Sequence, residues 1–365
     1  MRKVFSIITA LAVAAGLAAC GGSSQPAQTT AAPAATAAAG AAETQAAAAA
    51  PATDYPKEAI TMIIPYGAGG TTDVVGRQLA IALEKQLGQS IVVENMAGAS
   101  GSVGAQACLD ADPDGYTILL TAESLGTQRV MGISEMSYAD FAPISAIASD
   151  QKVVVVGKDS KYNTIQELLD DIKANPGKIQ MSYTGPGGSG HIQALILNKF
   201  GYEPALTAYS SGSEGITAVL GNQVEFTNSN YATVASYIES GDLKLLAVCS
   251  NEPLAAHPEV PTLASVIEGS EELMSIPYSP LSLIVDKDVP AEVQTVLRDA
   301  TMKAVADPDF NAFMDKNSIS KLYEKYPTIE DTKKFFDEWE STVSWMLFEA
   351  GATVNSPEDF NIPKP

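Results

Sequence analysis

Histidine, cysteine and positive charge are what this sequence has least of. Two histidines in 365 residues leave almost no material for imidazole acid–base chemistry. Three cysteines cannot build a disulfide framework, and no C-x-x-C or H-x-x-x-H spacing marks a zinc site. Lys and Arg together number 22 against 43 Asp and Glu, a formal charge of −21. Nucleic-acid affinity rests on basic side chains neutralising phosphates, so that partner is not expected. A Walker A loop and a complete G-x-G-x-x-G are also missing, which removes the usual signatures of nucleotide and dinucleotide sites.

The N-terminal stretch lacks what a core needs. Arg2 and Lys3 precede an uncharged apolar run from Val4 to Leu17, the pattern of a secretory signal too short to remain as a membrane span. Leu17-Ala18-Ala19-Cys20-Gly21 follows and resembles the bacterial lipoprotein box; an ordinary cleavage site beside a chance cysteine is the competing reading. If Cys20 carries lipid, residues 1–19 leave with two positive charges and no acid, and the remainder stands at −23. More than one acyl chain would then hold the protein on the outer face of the bacterial cell membrane. Between Gly21 and Asp54 only Glu43 and Asp54 are charged and no large apolar side chain occurs, so 20–54 is expected to be a disordered linker.

From Tyr55 onward, strand and helix patterns alternate. Ile60–Ile64 reads as a buried strand, and Val75, Leu79, Leu83 and Leu87 form one helical stripe that Gly88 should cap. Ser90–Glu94 and Tyr116–Leu120 are further strands. A second series begins with the strand Lys152–Val156 and a capping box, Thr164 to Glu167. It continues through Ile179–Tyr183, a helix over His191–Phe200, Val224–Thr227 and Leu243–Val248, and Ser282–Val285 is strand-like. Regular alternation implies parallel sheets covered by helices, and two series imply two α/β lobes. Cys108 falls in a helical pattern and Cys249 at a strand end, which favours two buried thiols over a disulfide.

Ligands of open α/β sheets bind beyond the strand C-termini, so two glycine-rich loops matter most. Pro65-Tyr66-Gly67-Ala68-Gly69-Gly70-Thr71-Thr72-Asp73 and Thr184-Gly185-Pro186-Gly187-Gly188-Ser189-Gly190 each lead into a helix. Each offers closely spaced amides and hydroxyls at a helix N-terminus, a neutral receptor for anions. Either could instead be only a tight turn, but equivalent loops in both lobes point to a shared cleft. Catalytic patterns fare worse. Ser189 misses the G-x-S-x-G elbow because His191 stands at the last glycine, and nothing supplies an activated nucleophile.

These loops also carry a family likeness. Ile60-Thr61-Met62-Ile63-Ile64-Pro65, Ala68-Gly69-Gly70-x-x-Asp73, Val93-Glu94-Asn95, Gly98-Ala99-x-Gly101-x-x-Gly104 and Pro113-Asp114-Gly115-Tyr116-Thr117 resemble the solute receptors of tripartite tricarboxylate transporters, TctC-like or Bug proteins. So do Phe141-x-Pro143-Ile144, Gly185-x-Gly187-x-Ser189-x-His191, Gly221-x-Gln223-Val224 and Pro258-Glu259-Val260-Pro261-Thr262-Leu263. The resemblance implies a type II periplasmic-binding-protein fold, two α/β lobes joined by two crossovers with a ligand cleft between them. Crossings would fall near Ile144 to Val153 and Ser275 to Leu283, so that 55–149 with 276–365 forms one lobe and 150–275 the other.

The same resemblance implies a monomeric, non-enzymatic receptor without cofactor or metal, passing a small carboxylate or amino-acid-like solute to membrane permease subunits. Its site would comprise Tyr66, Ala68, Gly69, Gly70, Thr71 and Asp73 from one lobe. Thr184, Gly187, Gly188, Ser189 and His191 would come from the other, with Tyr209 and Asn228 beside them. Where family members often carry Tyr-Lys-Gly this chain has Tyr209-Ser210-Ser211, so a nearby positive charge is expected to be missing. Glu123 either adds a negative group to the cleft, favouring a monocarboxylate or zwitterion, or points to solvent. Other readings left open are a receptor for a nucleobase or aromatic compound lined by Tyr66, Tyr183, Tyr209 and Tyr231, a ligand sensor for a membrane kinase, and an enzyme on the same fold.

Overall fold

The structure, a computed structural model, describes residues 54–276 and 279–365; the export signal, Cys20 and the linker as far as residue 53 lie outside them. Two sheets organise the chain, which crosses between them twice. The first opens with β1 (Ile60–Ile64), α1 (Thr71–Leu87), β2 (Ile91–Asn95), α2 (Ser102–Leu109), β3 (Thr117–Thr121) and β4 (Phe141–Ser149). The second comprises β5 (Lys152–Gly157), α3 (Ile165–Ala174), β6 (Gln180–Tyr183), α4 (Ser189–Lys199), β7 (Ala205–Ala208), α5 (Gly212–Leu220), β8 (Phe226–Asn230), α6 (Tyr231–Glu239) and β9 (Leu243–Val248). After α7 (Leu263–Val266) and α8 (Glu271–Met274) the chain returns to the first sheet as β10 (Pro280–Asp286). It ends with α9 (Ala291–Val305), α10 (Pro308–Lys316), β11 (Ser320–Lys321), α11 (Leu322–Lys325) and α12 (Ile329–Glu349).

The strand orders are β11-β4-β10-β3-β1-β2 and β7-β6-β8-β5-β9. Both sheets are mixed, which corrects the expectation of parallel ones. β1 runs parallel to β2 and β3, and β6 to β7 and β8, as helix-linked strands must. β10 is antiparallel to β3 and β4, and β5 to β8 and β9. These two strands are the ones that enter straight from the other lobe. No helix packed on their own sheet turns the chain round first, so they run against their neighbours. Phe141–Ser149, expected to lie partly in a crossover, is a paired strand, and the first crossing is only Asp150-Gln151.

The stripe read from the sequence is the face α1 buries. Val75, Leu79 and Leu83 are fully buried in one apolar cluster with Ile60, Met62, Ile64, Ile118 and Leu120. Each such side chain contributes about 1.5–3 kcal/mol by leaving water. Gly88 ends α1 in the left-handed region at φ 68°, and its N–H bonds the Glu84 carbonyl. The Thr164–Glu167 capping box opens α3 with both reciprocal bonds in place.

The last helix has a different role. Phe335, Phe336, Trp339, Val343 and Leu347 of α12 share a cluster with Leu168 and Ile172 of α3 and Ile192 and Ile196 of α4. Its Thr332 hydroxyl meanwhile accepts from the Ala146 amide of β4. α12 thus packs on elements of both sheets. Cys108 and Cys249 are buried and free.

Candidate functional site

Four helices begin at one place. The N-terminal residues of α1 (Thr71, Thr72), α4 (Ser189, Gly190), α5 (Gly212) and α6 (Thr233, with Asn230 before it) line a single cleft between the sheets. A helix start presents N–H groups without intrahelical partners at the positive end of its dipole, so four together favour an anion.

The lobes meet at the rim of this cleft. Ser100 Oγ donates to the Pro186 carbonyl at 3.0 Å, and Thr127 Oγ1 to the Gly187 carbonyl at 3.0 Å. The Thr71 and Thr233 hydroxyls are 3.1 Å apart. A Cβ built on Gly67 would lie 2.9 Å from Ser211 Cβ, so only a glycine permits that approach.

The loop after β1 is held by Asp73. Its Oδ2 accepts from the Gly69 amide at 2.9 Å, and its Oδ1 accepts from Arg77 Nε at 3.0 Å and Asn95 Nδ2 at 2.9 Å. Burial acts to raise the Asp73 pKa, but Arg77, Gly69 and Asn95 together outweigh it and hold the carboxyl below the usual aspartate range. The loop after β6 is held by His191, whose Nδ1 accepts from the Gly187 amide at 3.1 Å. Burial lowers that imidazole's pKa, keeping it neutral and able to accept. The Gly188 amide turns back to the Gly185 carbonyl at 3.3 Å.

Glu123 does not point to solvent. It follows β3, is 5% exposed, and its Oε1 accepts from the Ser189 amide at 2.7 Å, at the N-terminus of α4. Its Oε2 accepts from Ser279 Oγ at 3.4 Å on the returning crossover. A carboxylate of the chain itself therefore occupies the second lobe's helix terminus.

The missing positive charge is also present, from another place. Lys152, read only as a strand residue, lines the cleft at the start of β5 and is 6% exposed. Burial lowers its pKa, against the pull of Glu123 and Asp150. Asp150, in the crossover, accepts from Thr71 Oγ1 at 2.7 Å.

Of the residues expected at the site, Tyr66, Gly70, Thr71, Asp73, Glu123, Thr184, Ser189 and Asn228 line the cleft. Ala68, Gly69, Gly187, Gly188, His191 and Tyr209 do not. The amides of Gly69, Gly187 and Gly188 serve the loops themselves, and Tyr209 packs against the apolar cluster around β5. Sequence reasoning passed over Lys152, Ser182, Ser229 and Asn230, which line the same wall. Period-two alternation could not single them out, because Asn228, Ser229 and Asn230 follow one another at the end of β8 and all line the cleft.

Asp150 gives the fold a pH dependence. Its burial, partly offset by the Thr71 hydroxyl, Lys152 and the Ala232 and Gln151 amides, pushes its pKa up to about 7. An acid whose pKa is higher folded than unfolded stabilises fully below the unfolded value, and loses that contribution as pH rises through the folded one. The urea midpoint is expected to fall from about pH 4 to about pH 7 through this group. Asp150→Asn should flatten that slope; an unchanged slope would remove Asp150 as its source.

The description of a tripartite tricarboxylate transporter family receptor (TctC) fits residues 75–344, well over half of the chain. The protein belongs to the TctC receptor family. BugT of Bordetella pertussis is 31% identical over 232 residues, 62% of this chain and 71% of its own. The solved structure of the periplasmic binding protein BugD matches with a TM-score of 0.74 at 27% identity, over 82% of this chain and 99% of that one. MatC from Rhodopseudomonas palustris, solved with bound malate, shares the fold at a TM-score of 0.71 and 20% identity, over 79% of this chain and all of its own. The TctC receptors are solute-binding proteins of the periplasmic-binding-protein class, and the two lobes with their cleft are this chain's version of that fold. Among the described residues, no helix is long and apolar enough to cross a membrane.

Proposed function

We propose that this TctC-family protein captures a small carboxylate-bearing solute in the cleft between its lobes and hands it to the permease subunits of a tripartite transporter. The observation that carries this is the convergence on one cleft of a buried lysine and the N-termini of α1 and α6, neither of which carries a side-chain cap, whereas Glu123 meets the start of α4 and Ser211 that of α5. The backbone at the start of α1, from Gly70 to Thr72, and Lys152 line this cleft together and suit a carboxylate, while the Thr71 hydroxyl is already given to Asp150. The Gly69, Gly187 and Gly188 amides proposed from sequence act instead on loop shape.

No chemistry is assigned to the protein. His191 accepts an amide of its own loop, and no serine of that loop is paired with it as nucleophile to base. An aromatic ligand is disfavoured because Tyr231 is buried against His257 (hydroxyl to Nε2, 3.1 Å) and Tyr209 packs on β5, leaving Tyr66 and Tyr183 of the four. Anchoring through Cys20, with release of 1–19 and a linker to residue 54, would keep the receptor at the outer membrane face beside its permease; the sequence alone supports that part.

A thermal-shift screen against organic and amino acids tests the reading. A solute at about 100 times its Kd adds about 2.7 kcal/mol of stability, which raises Tm by several degrees. At least one carboxylate should do so. A broad carboxylate panel without a shift would overturn the assignment.

A further inference from the structure

A carboxylate solute and Asp150 compete for one hydroxyl. Thr71 stands at the start of α1, lines the cleft, and gives its hydroxyl proton to Asp150 Oδ2 at 2.7 Å. Asp150 opens the crossover between the sheets, is 2% exposed, and lies behind the cleft rather than on its surface. Both lobes cover it. Thr71 comes from the first; the Ala232 amide and Thr233 of α6, whose hydroxyl is 3.1 Å from that of Thr71, come from the second. Asp150 Oδ1 has no hydrogen-bond partner, and no Lys, Arg or His among the described residues forms an ion pair with this carboxyl.

The ionisable groups around it do not neutralise it. Lys152 on β5 attracts it without bonding it, and Glu123 draws on the same lysine. Asp73 of α1 is committed to Arg77, Gly69 and Asn95, Lys321 of β11 pairs with Asp315 at 2.7 Å, and Tyr231 of α6 meets His257. A carboxyl so placed favours its neutral form, and burial already pushes its pKa up to about 7. A solute carboxylate at the start of α1 sets a second negative charge beside it and acts in the same direction.

We infer that capture of a carboxylate solute takes up one proton from solvent at Asp150, and so hands the Thr71 hydroxyl over from Asp150 to the solute. This deepens the carboxylate reading and rests on it. The ionised carboxylate can only accept, so it holds Thr71 as its donor. Once protonated, its own O–H donates to Thr71 Oγ1, and the threonine proton turns into the cleft. Opening the lobes parts Thr71 from Thr233, lets water reach Asp150 and returns it toward the ordinary aspartate value of about 3.9. Linkage fixes the sign. An acid that is harder to ionise in the closed state makes binding tightest below its open-state pKa, and binding weakens as pH rises through the closed-state one.

Calorimetric titration of the wild-type protein at pH 6 and pH 8 tests this, with the straight-chain mono- and dicarboxylates from acetate to adipate and their 2-hydroxy and 2-amino counterparts. Their carboxyls are largely ionised at both values, and residual protonation would act in the opposite sense. Each acid that binds should bind about tenfold more weakly at pH 8 than at pH 6. Runs in two buffers of different ionisation heat should show about 0.9 proton taken up per solute at pH 6 and about 0.1 at pH 8. Asp150→Asn keeps an acceptor for Thr71 but cannot titrate; it should bring the affinity ratio to about one and the proton count to about zero, with Tm confirming that it folds. Affinity independent of pH in the wild type, or a slope that survives in Asp150→Asn, would overturn the inference and leave the carboxylate reading standing. Absence of binding by every acid at both pH values would overturn both.

Discussion

Gly67→Leu is expected to weaken solute binding by about a hundredfold or more, equivalent to at least about 2.7 kcal/mol, with little change in Tm. Gly67 lies in the first lobe's loop, and its missing Cβ would sit 2.9 Å from Ser211 Cβ and 3.7 Å from the Ser210 carbonyl of the second. Ser211 cannot step aside: it is 6% exposed and its hydroxyl caps α5 by accepting from the Glu214 amide. A leucine at that point wedges the lobes apart. The core of either lobe is untouched, so folding should survive while the closed arrangement is lost, and the ligand would have to bind an open cleft. A double-mutant cycle isolates the contact. Gly67→Ala should lose part of the affinity and Ser211→Gly should restore it, since glycine replaces a serine cap at a cost of only a few tenths of a kcal/mol. Gly67→Leu with wild-type affinity would show that closure is not needed for binding.

Trp339→Ala is expected to cost about 3–5 kcal/mol of stability, the range for deleting a large buried aromatic. Trp339 is 3% exposed in the largest apolar cluster, on the α12 face that meets both lobes. Its ring covers Gly126, where a Cβ would be 3.1 Å from it, and Ser344 one turn and a half further along donates to the Gly126 carbonyl at 3.5 Å. That turn, Glu123–Thr127, is the one that delivers Glu123 to the cleft. Urea unfolding should show a lower midpoint with an unchanged m-value. A loss under about 1 kcal/mol would mean that α12 is not a structural tie.

Several parts of this protein were written locally and could be read. The α1 stripe, the Gly88 cap and the Thr164–Glu167 box depend on residues a few positions apart, so the sequence carries them whole. Strand direction is different. β5 and β10 are reversed because of where the chain arrives from, and no pattern within Lys152–Gly157 or Pro280–Asp286 records that. β4 was masked by Pro143 and its small alanine and serine residues, which read as a connection.

At the site, residue types were legible and directions were not. Glu123 stood out as a charge beside a strand end, yet only the folded chain aims it at Ser189. Glycine amides looked like ligand donors, but tight turns have hydrogen-bond demands of their own, and Gly69, Gly187 and Gly188 meet those first. Lys152 shows in the sequence only as the first residue of a valine-rich strand, which does not tell where its side chain goes. The position beside the crossover, two residues from Asp150, is what turns it into the cleft. The scarcity of basic residues thus sharpens in meaning: one buried lysine and the uncapped starts of α1 and α6 carry the positive character of the site.

Isothermal titration of the folded receptor with small carboxylates, run in parallel on wild type and Gly67→Leu, tests the central claim most directly. Saturable one-to-one binding of at least one carboxylate, largely lost in the wedge variant, is the predicted result. Binding by none of them, or equal binding by both proteins, would contradict a solute cleft that works by closing.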